Sequence, residues 1–362
     1  MLKRLSLQVL DTWAPAAPNR ARSTSASVAA ASPPRVGWQP PHYSYAAVLA
    51  LTGLGRLFSG QAAWLLGPLL AVGLVSLGVA HGACDQLVLP AYRPVARGSW
   101  RRYLWRFVPG YAGLAAVAAG AWWRWPGAAV GGFFLLTAWH WGSADAPALP
   151  GRRALWVAHS WLRGALLFAV PARWWPAETQ HSVNGLLAFA GAAPLAAGQL
   201  AAWAVRLWPL VLAGHAGLWG CYAAQRQPRR WRTDAGEVLL LTGLFWGLPP
   251  LLAGGVYFVF WHSLQHVLRL SPLLGYAAAP GPAGPGRALW HELLFFARRA
   301  RPLLLVSVAA LAAGYALFGW QSGSGNAGLG PALVAVAAVT LPHALLVSLV
   351  MDAAKWRPAR HR

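Results

Sequence analysis

The stretch LLAVGLVSLGVAHGACD, residues 69–85, runs without a charge until it meets His81, with Asp85 four residues on. It belongs to an apolar segment over 62–81, and about 20 apolar residues are what a helix needs to cross a bilayer. A span can stop on any polar residue. This one stops on two groups that are expensive beside hydrocarbon and suited to metal chemistry.

Runs of similar length recur outward from it. Ten candidate spans lie near 44–58, 62–81, 103–123, 127–145, 154–171, 203–224, 236–251, 253–270, 302–320 and 328–350. The 362 residues are 57% hydrophobic and only 10% charged, too apolar for an ordinary soluble domain. The expected fold is therefore all-α, a polytopic membrane protein of about ten transmembrane helices. The stretch 183–200 is apolar but broken by Gly and Pro, and reads as re-entrant or interfacial. Residues 1–40 are rich in Ala, Ser, Pro and Arg and poor in acids. They read as a disordered basic tail, similar in composition to a transit peptide and without the apolar core of a secretory signal. One integral-membrane domain is expected over 41–352, followed by a basic tail over 353–362.

A net charge of +22 raises the question of nucleic acid, and the placement of the arginines answers against it. They cluster between the apolar runs, at Arg93 to Arg106, Arg152 and Arg153, Arg226 to Arg232, Arg287 to Arg301, and Lys355 to Arg362. With ten spans all these clusters fall on one side, together with the basic N-terminal tail. The opposite loops, near Gly60, Trp125, Trp175, Gly254 and Ser322, carry few charges. The positive-inside rule then makes that side the cytoplasm, with both termini on it; the expected location is the cell (inner) membrane, among lipid. Two cysteines, Cys84 and Cys221, imply neither a disulfide framework nor a cysteine zinc site.

On this topology His81, His140, His159, His262, His266 and His343 come to lie within the cytoplasmic third of the membrane. In FVFWHSLQHVLRL, His262 and His266 are spaced i, i+4, which puts both rings on one helix face. Two such rings could share one ion; the alternative is two interfacial histidines bonded to backbone or headgroup. The missing Glu excludes the HExxH protease signature. HGACD and WHWGSAD share a construction: a histidine at a span end, a glycine, and an aspartate (Asp85 or Asp145) four or five residues on. An aspartate there can orient a ligand histidine or cap a helix in the headgroup layer. His159 and His343 read equally as residues behind a site and as satisfied core histidines. His215 reads as a core residue, and His42, His181, His291 and His361 as loop residues. With eight acidic residues in the chain, imidazole must supply most of any metal site. Imidazoles suit Zn, Cu, Fe or Ni, and composition does not choose among them. Trp139, Trp141, Tyr257, Phe258, Phe260 and Trp261 crowd these motifs and could wall an elongated apolar pocket.

The ordered set HGACD (81–85), HWGSAD (140–145), AHS (158–160), WHSLQH (261–266) and LPHALL (341–346) resembles the bacteriorhodopsin-related-protein/Blh family of integral-membrane β-carotene 15,15'-dioxygenases. The likeness covers roughly 62–352. It implies a helical membrane fold holding one non-haem Fe(II) on His81, His140, His262 and His266. Asp85, Asp145, His159 and His343 would stand behind the ligands. Trp139, Trp141, Tyr257, Phe260 and Trp261 would line the substrate. The implied reaction is central cleavage of β-carotene by O2 to two molecules of all-trans-retinal, which would serve a retinal-binding microbial rhodopsin in the same membrane. Cys84, Gln86 and Ser160 depart from the family's usual residues, and the basic tail and first span look like additions to its core. No departure falls on an implied ligand.

Three other readings make different demands. A di-iron desaturase or hydroxylase wants about eight histidines in HxxxH and HxxHH boxes, and this chain has one HxxxH and no HxxHH. A transporter using buried His and Asp predicts flux without stoichiometric iron. A carotenoid-binding protein predicts pigment that stays intact in air.

Overall fold

The computed structural model describes residues 40–96, 99–149, 151–277, 285–319 and 330–356. Among them every regular element is helical: α1 (Pro40–Leu57), α2 (Ser59–Gly82), α3 (Asp85–Tyr92), α4 (Trp100–Arg124), α5 (Pro126–Asp145), α6 (Arg153–Trp174), α7 (Pro176–Phe189), α8 (Gln199–Ala224), α9 (Pro228–Gly247), α10 (250–273), α11 (Pro285–Gly319), α12 (Gly330–Leu346, running on to Met351) and α13 (Ala353–Trp356). The tail expected over 1–40 lies, but for Pro40, outside the described residues, as do the loop near Ser322 and residues 357–362.

Proline sets several boundaries. Pro126, Pro176, Pro228 and Pro250 open α5, α7, α9 and α10, where a missing N–H costs nothing and the fixed φ suits the first turn. The residue before each is pushed out of the helical region, so Trp125 and Trp175 are single-residue breaks between long helices. These are two of the sparsely charged loops expected from the sequence.

Two boundaries differ from expectation. The span expected over 236–251 ends at Gly247, before the Pro249–Pro250 pair, and α9 begins at Pro228 within the basic cluster. The segment Arg287 to Arg301 is likewise helical, the first half of the 35-residue α11. Its Ala, Leu, Glu and Arg residues are good helix formers, so charge alone did not make it a loop. The broken stretch near 183–200 contains the end of α7, whose 14 residues span about 21 Å, short of a hydrocarbon core.

Among the described residues two helices, Ser59–Gly82 and Val334–Met351, are long and apolar enough to cross a membrane. Large apolar side chains also stand on the outside, among them Trp64, Val72, Val117, Leu210 and Leu251. That surface suits lipid better than water.

Glycines set the spacing of the helices that carry the histidines. A Cβ on Gly142 would fall 1.9 Å from the Ser160 carbonyl oxygen, and one on Gly164 1.9 Å from that of Ala138. The backbones of α5 and α6 therefore touch, as small residues allow inside membranes. On α2, Gly73 and Gly78 instead receive side chains of α10: a Cβ at either position would meet the Val259 or the Phe258 side chain. The facing stretches, 74–79 and 257–263, are both π-helical, and a third π-helical turn, 347–351, ends α12. Such turns often mark functional sites. Here one immediately precedes His81, one contains His262, and one follows His343 by a turn.

Candidate metal centre

Four helices bring five imidazoles together. His81 comes from the end of α2, His140 from α5, His262 and His266 from α10, and His343 from α12. Each is at most 6% exposed. The His81 ring lies 5.7 Å from His262, 5.0 Å from His266 and 5.0 Å from His343, centroid to centroid. His140 is 4.9 Å from both His262 and His343. His266 is 5.5 Å from His343 and 6.2 Å from His262, stacked on it as the i, i+4 spacing predicts. The four implied ligands thus share one buried cluster. His343, expected behind them, stands among them.

Four of these five rings carry a buried nitrogen without a hydrogen bond. His140 Nδ1, both nitrogens of His262, His266 Nε2 and His343 Nε2 are buried without a hydrogen bond. His81 Nδ1 meets the Leu77 carbonyl oxygen at 3.1 Å. Each buried polar atom left unsatisfied costs about 1–3 kcal/mol, a penalty that a bound ion would remove. The donor set suits a borderline transition metal. As placed, no group of three or more His, Cys, Asp or Glu among the described residues could hold an ion. Occupancy would require the unbonded rings to turn about their side-chain torsions.

The two aspartates behave differently. Asp85 opens α3, so its carboxylate faces a helix N-terminus, which favours negative charge. It also accepts the Tyr111 hydroxyl at 2.8 Å and meets His343 Nδ1 at 2.9 Å through both oxygens. Asp145 ends α5, the wrong terminus for a capping carboxylate. Rather than orienting a histidine, its Oδ2 accepts the Tyr257 hydroxyl at 3.1 Å and the Trp261 indole N–H at 3.0 Å.

His159 belongs elsewhere. Its ring nitrogens meet the Tyr222 hydroxyl at 2.9 Å and Asp234 Oδ1 at 2.7 Å. Asp234 also binds Arg163, accepts the Trp219 indole N–H at 2.6 Å, and lies 3.6 Å from His215 Nδ1. Arg163 reaches on to Glu237 at 2.8 Å, which accepts the Tyr45 hydroxyl. Sequence reasoning missed this second polar network. One signal was present: Arg163 is the single charge inside the run 154–171.

The aromatic walls divide too. Trp141 lies 5.9 Å from His262 and 5.0 Å from Tyr257. Phe258, one of the aromatics expected to wall a pocket, stands 6.0 Å from His81 and 5.9 Å from His262. Trp139, also expected to line the substrate, packs with Trp156, Trp161 and Trp356, and its N–H meets Ser348 Oγ at 3.3 Å. Successive residues on a helix point about 100° apart, so Trp139 and Trp141 cannot share a neighbour with His140 equally. Lys355, expected in a solvated tail, donates to the Ser143 and Ala146 carbonyls at the end of α5, and burial lowers its pKa. A cavity of about 300 Å³ reaches His262 and His266 past Asp145, Gln265 and Arg269.

The family model for Beta-carotene 15,15'-dioxygenase matches residues 72–351. A relative from Halobacterium salinarum, named "Probable beta-carotene 15,15'-dioxygenase Blh", is 34% identical over 350 residues, covering 91% of this chain and 94% of its own length. No solved structure matches.

Proposed function

The chain belongs to the β-carotene 15,15'-dioxygenase family, and from that premise we propose that it cleaves β-carotene at its central double bond with O2, as a multi-pass membrane enzyme. One O2 and one double bond give two aldehydes, each oxygen atom ending on one retinal. The observation that carries the site is the buried cluster of imidazoles with unbonded nitrogens, built by motifs that run in the family's order.

His81, His140, His262 and His266 would hold Fe(II). When bound, that ion supplies the one-electron chemistry by which triplet O2 reacts with a closed-shell polyene. The protein's own part is positioning and exclusion. Trp141, Phe258 and Tyr257 form an apolar flank beside the cluster, where a stiff polyene gains by burial and water does not. Asp145 holds the Tyr257 hydroxyl and the Trp261 N–H, fixing that flank from behind. The cavity of about 300 Å³, bordered by Asp145, Gln265 and Arg269, is small for a long polyene. Substrate would enter from the bilayer. The ten spans, with basic segments and both termini in the cytoplasm, complete this reading. It draws support from each apolar run forming a helix and from the apolar outer surface.

The test is expression in bacteria engineered to make β-carotene, with chromatography of the extracted pigments. Bleaching with accumulation of retinal is expected, lost without air and lost in His81→Ala and His262→Ala. Well-expressed protein in cells that stay orange would overturn the reading.

A further inference from the structure

Within the five-imidazole cluster, the ring with a carboxylate behind it is His343. A metal-bound histidine usually gives its other ring N–H to a carboxylate, which fixes the tautomer and makes the ring a better donor. His343 has this arrangement without the metal. Its Nδ1 meets both Asp85 oxygens at 2.9 Å, and Asp85 in turn accepts the Tyr111 hydroxyl at 2.8 Å. With the proton on Nδ1, Nε2 carries the lone pair. That Nε2 is buried without a partner. Around the ring stand His140, His81 and His266, at 4.9, 5.0 and 5.5 Å between centroids. No comparable carboxylate contact holds His81, whose Nδ1 meets a backbone carbonyl, and none satisfies the nitrogens left bare on His140, His262 and His266.

We propose that His343 binds the metal through Nε2, as a fifth imidazole of the centre, and that Asp85 and Tyr111 are its positioning residues. This rests on the reading of the cluster as a metal site. Three helices assemble the relay: Tyr111 from α4, Asp85 from the start of α3, His343 from α12. A π-helical turn, Val347–Met351, begins one turn after His343 on the same helix. Asp85 also gives an all-imidazole site a negative neighbour, partly offsetting the charge of a divalent ion.

Full-length protein, stripped with a chelator in detergent, would be titrated with Fe(II) without air and with Co(II), whose visible absorption reports its ligand set. Wild type should bind one equivalent of each ion. His343→Ala should weaken binding at least tenfold and alter the Co(II) spectrum. Asp85→Asn should weaken it about 10–100-fold, the usual effect of losing such a partner, and Tyr111→Phe by less. Thermal melts of each variant without metal establish folding. If His343→Ala does not fold, Asp85→Asn decides, because it preserves shape. Wild-type affinity and an unchanged Co(II) spectrum in the deciding variant overturn the proposal, while loss of metal in His262→Ala would leave the metal reading standing. A wild-type protein that binds neither ion overturns both.

Discussion

Arg163 sits in the run 154–171 with no charged neighbour in sequence, and its partners arrive from another helix: Asp234 and Glu237 on α9, one turn apart. Removing one member of such a buried network leaves uncompensated charge, at a cost of about 3–5 kcal/mol. Arg163→Met should therefore lower stability by about that much, and the triple variant with Asp234→Asn and Glu237→Gln should recover part of it. Metal bound per folded molecule should not change, because the network and the imidazole cluster are separate. Melting in detergent and metal analysis of the folded fraction check both. An Arg163→Met protein as stable as wild type would show the network to be energetically idle. Span ends and the i, i+4 spacing drew attention to His81, His140, His262 and His266, which the structure brings into one cluster. The sequence could not place His159 or His343. Each needed the rotation of its own helix, which depends on neighbours far along the chain: Tyr222 and Asp234 for His159, Asp85 and Tyr111 for His343.

Between helices the controlling residues are glycines. The glycine of HWGSAD looked like an accessory to a histidine motif, yet Gly142 and Gly164 are where α5 and α6 meet backbone to backbone. Gly142→Ala drives a methyl into the Ser160 carbonyl, and backbone cannot step aside as a flexible side chain does. Overpacking costs about 1–3 kcal/mol, and more where backbone must shift. Gly142→Ala should lose at least that and displace His140, two residues away. Gly113→Ala, on α4 with open space around it, should be neutral or gain up to about 1 kcal/mol from helix propensity. Paired melting curves test the contrast, and equal effects at the two positions would remove the close contact as an explanation. Existence of the helices was legible in the apolar runs and the Trp-Pro breaks. The π-helical turns were not, since they arise from packing such as Gly73 and Gly78 against α10 and leave no periodicity in sequence.

At the scale of the molecule, the arginine clusters set the expected orientation, and on it six histidines are expected at one depth; five of those six rings meet in one cluster. The sixth, His159, faces the second network, as an expected depth alone cannot tell two sites apart. Orientation is open to direct test. Glu178, just after the Trp175 break, and Arg229, in the basic segment at the start of α9, are both exposed and lie on opposite sides of the expected topology. In a Cys221→Ala background, which removes the exposed native thiol, Glu178→Cys should react with a membrane-impermeant maleimide in intact spheroplasts. Arg229→Cys should react only after the membrane is opened. The native Cys84 is buried and should stay unlabelled in folded protein, serving as an internal control. Labelling in the reverse order would invert the protein and carry the imidazole cluster to the outer leaflet. Labelling of both from outside would remove α8 as a crossing between them, and with it the alternation on which the single depth of the histidines depends.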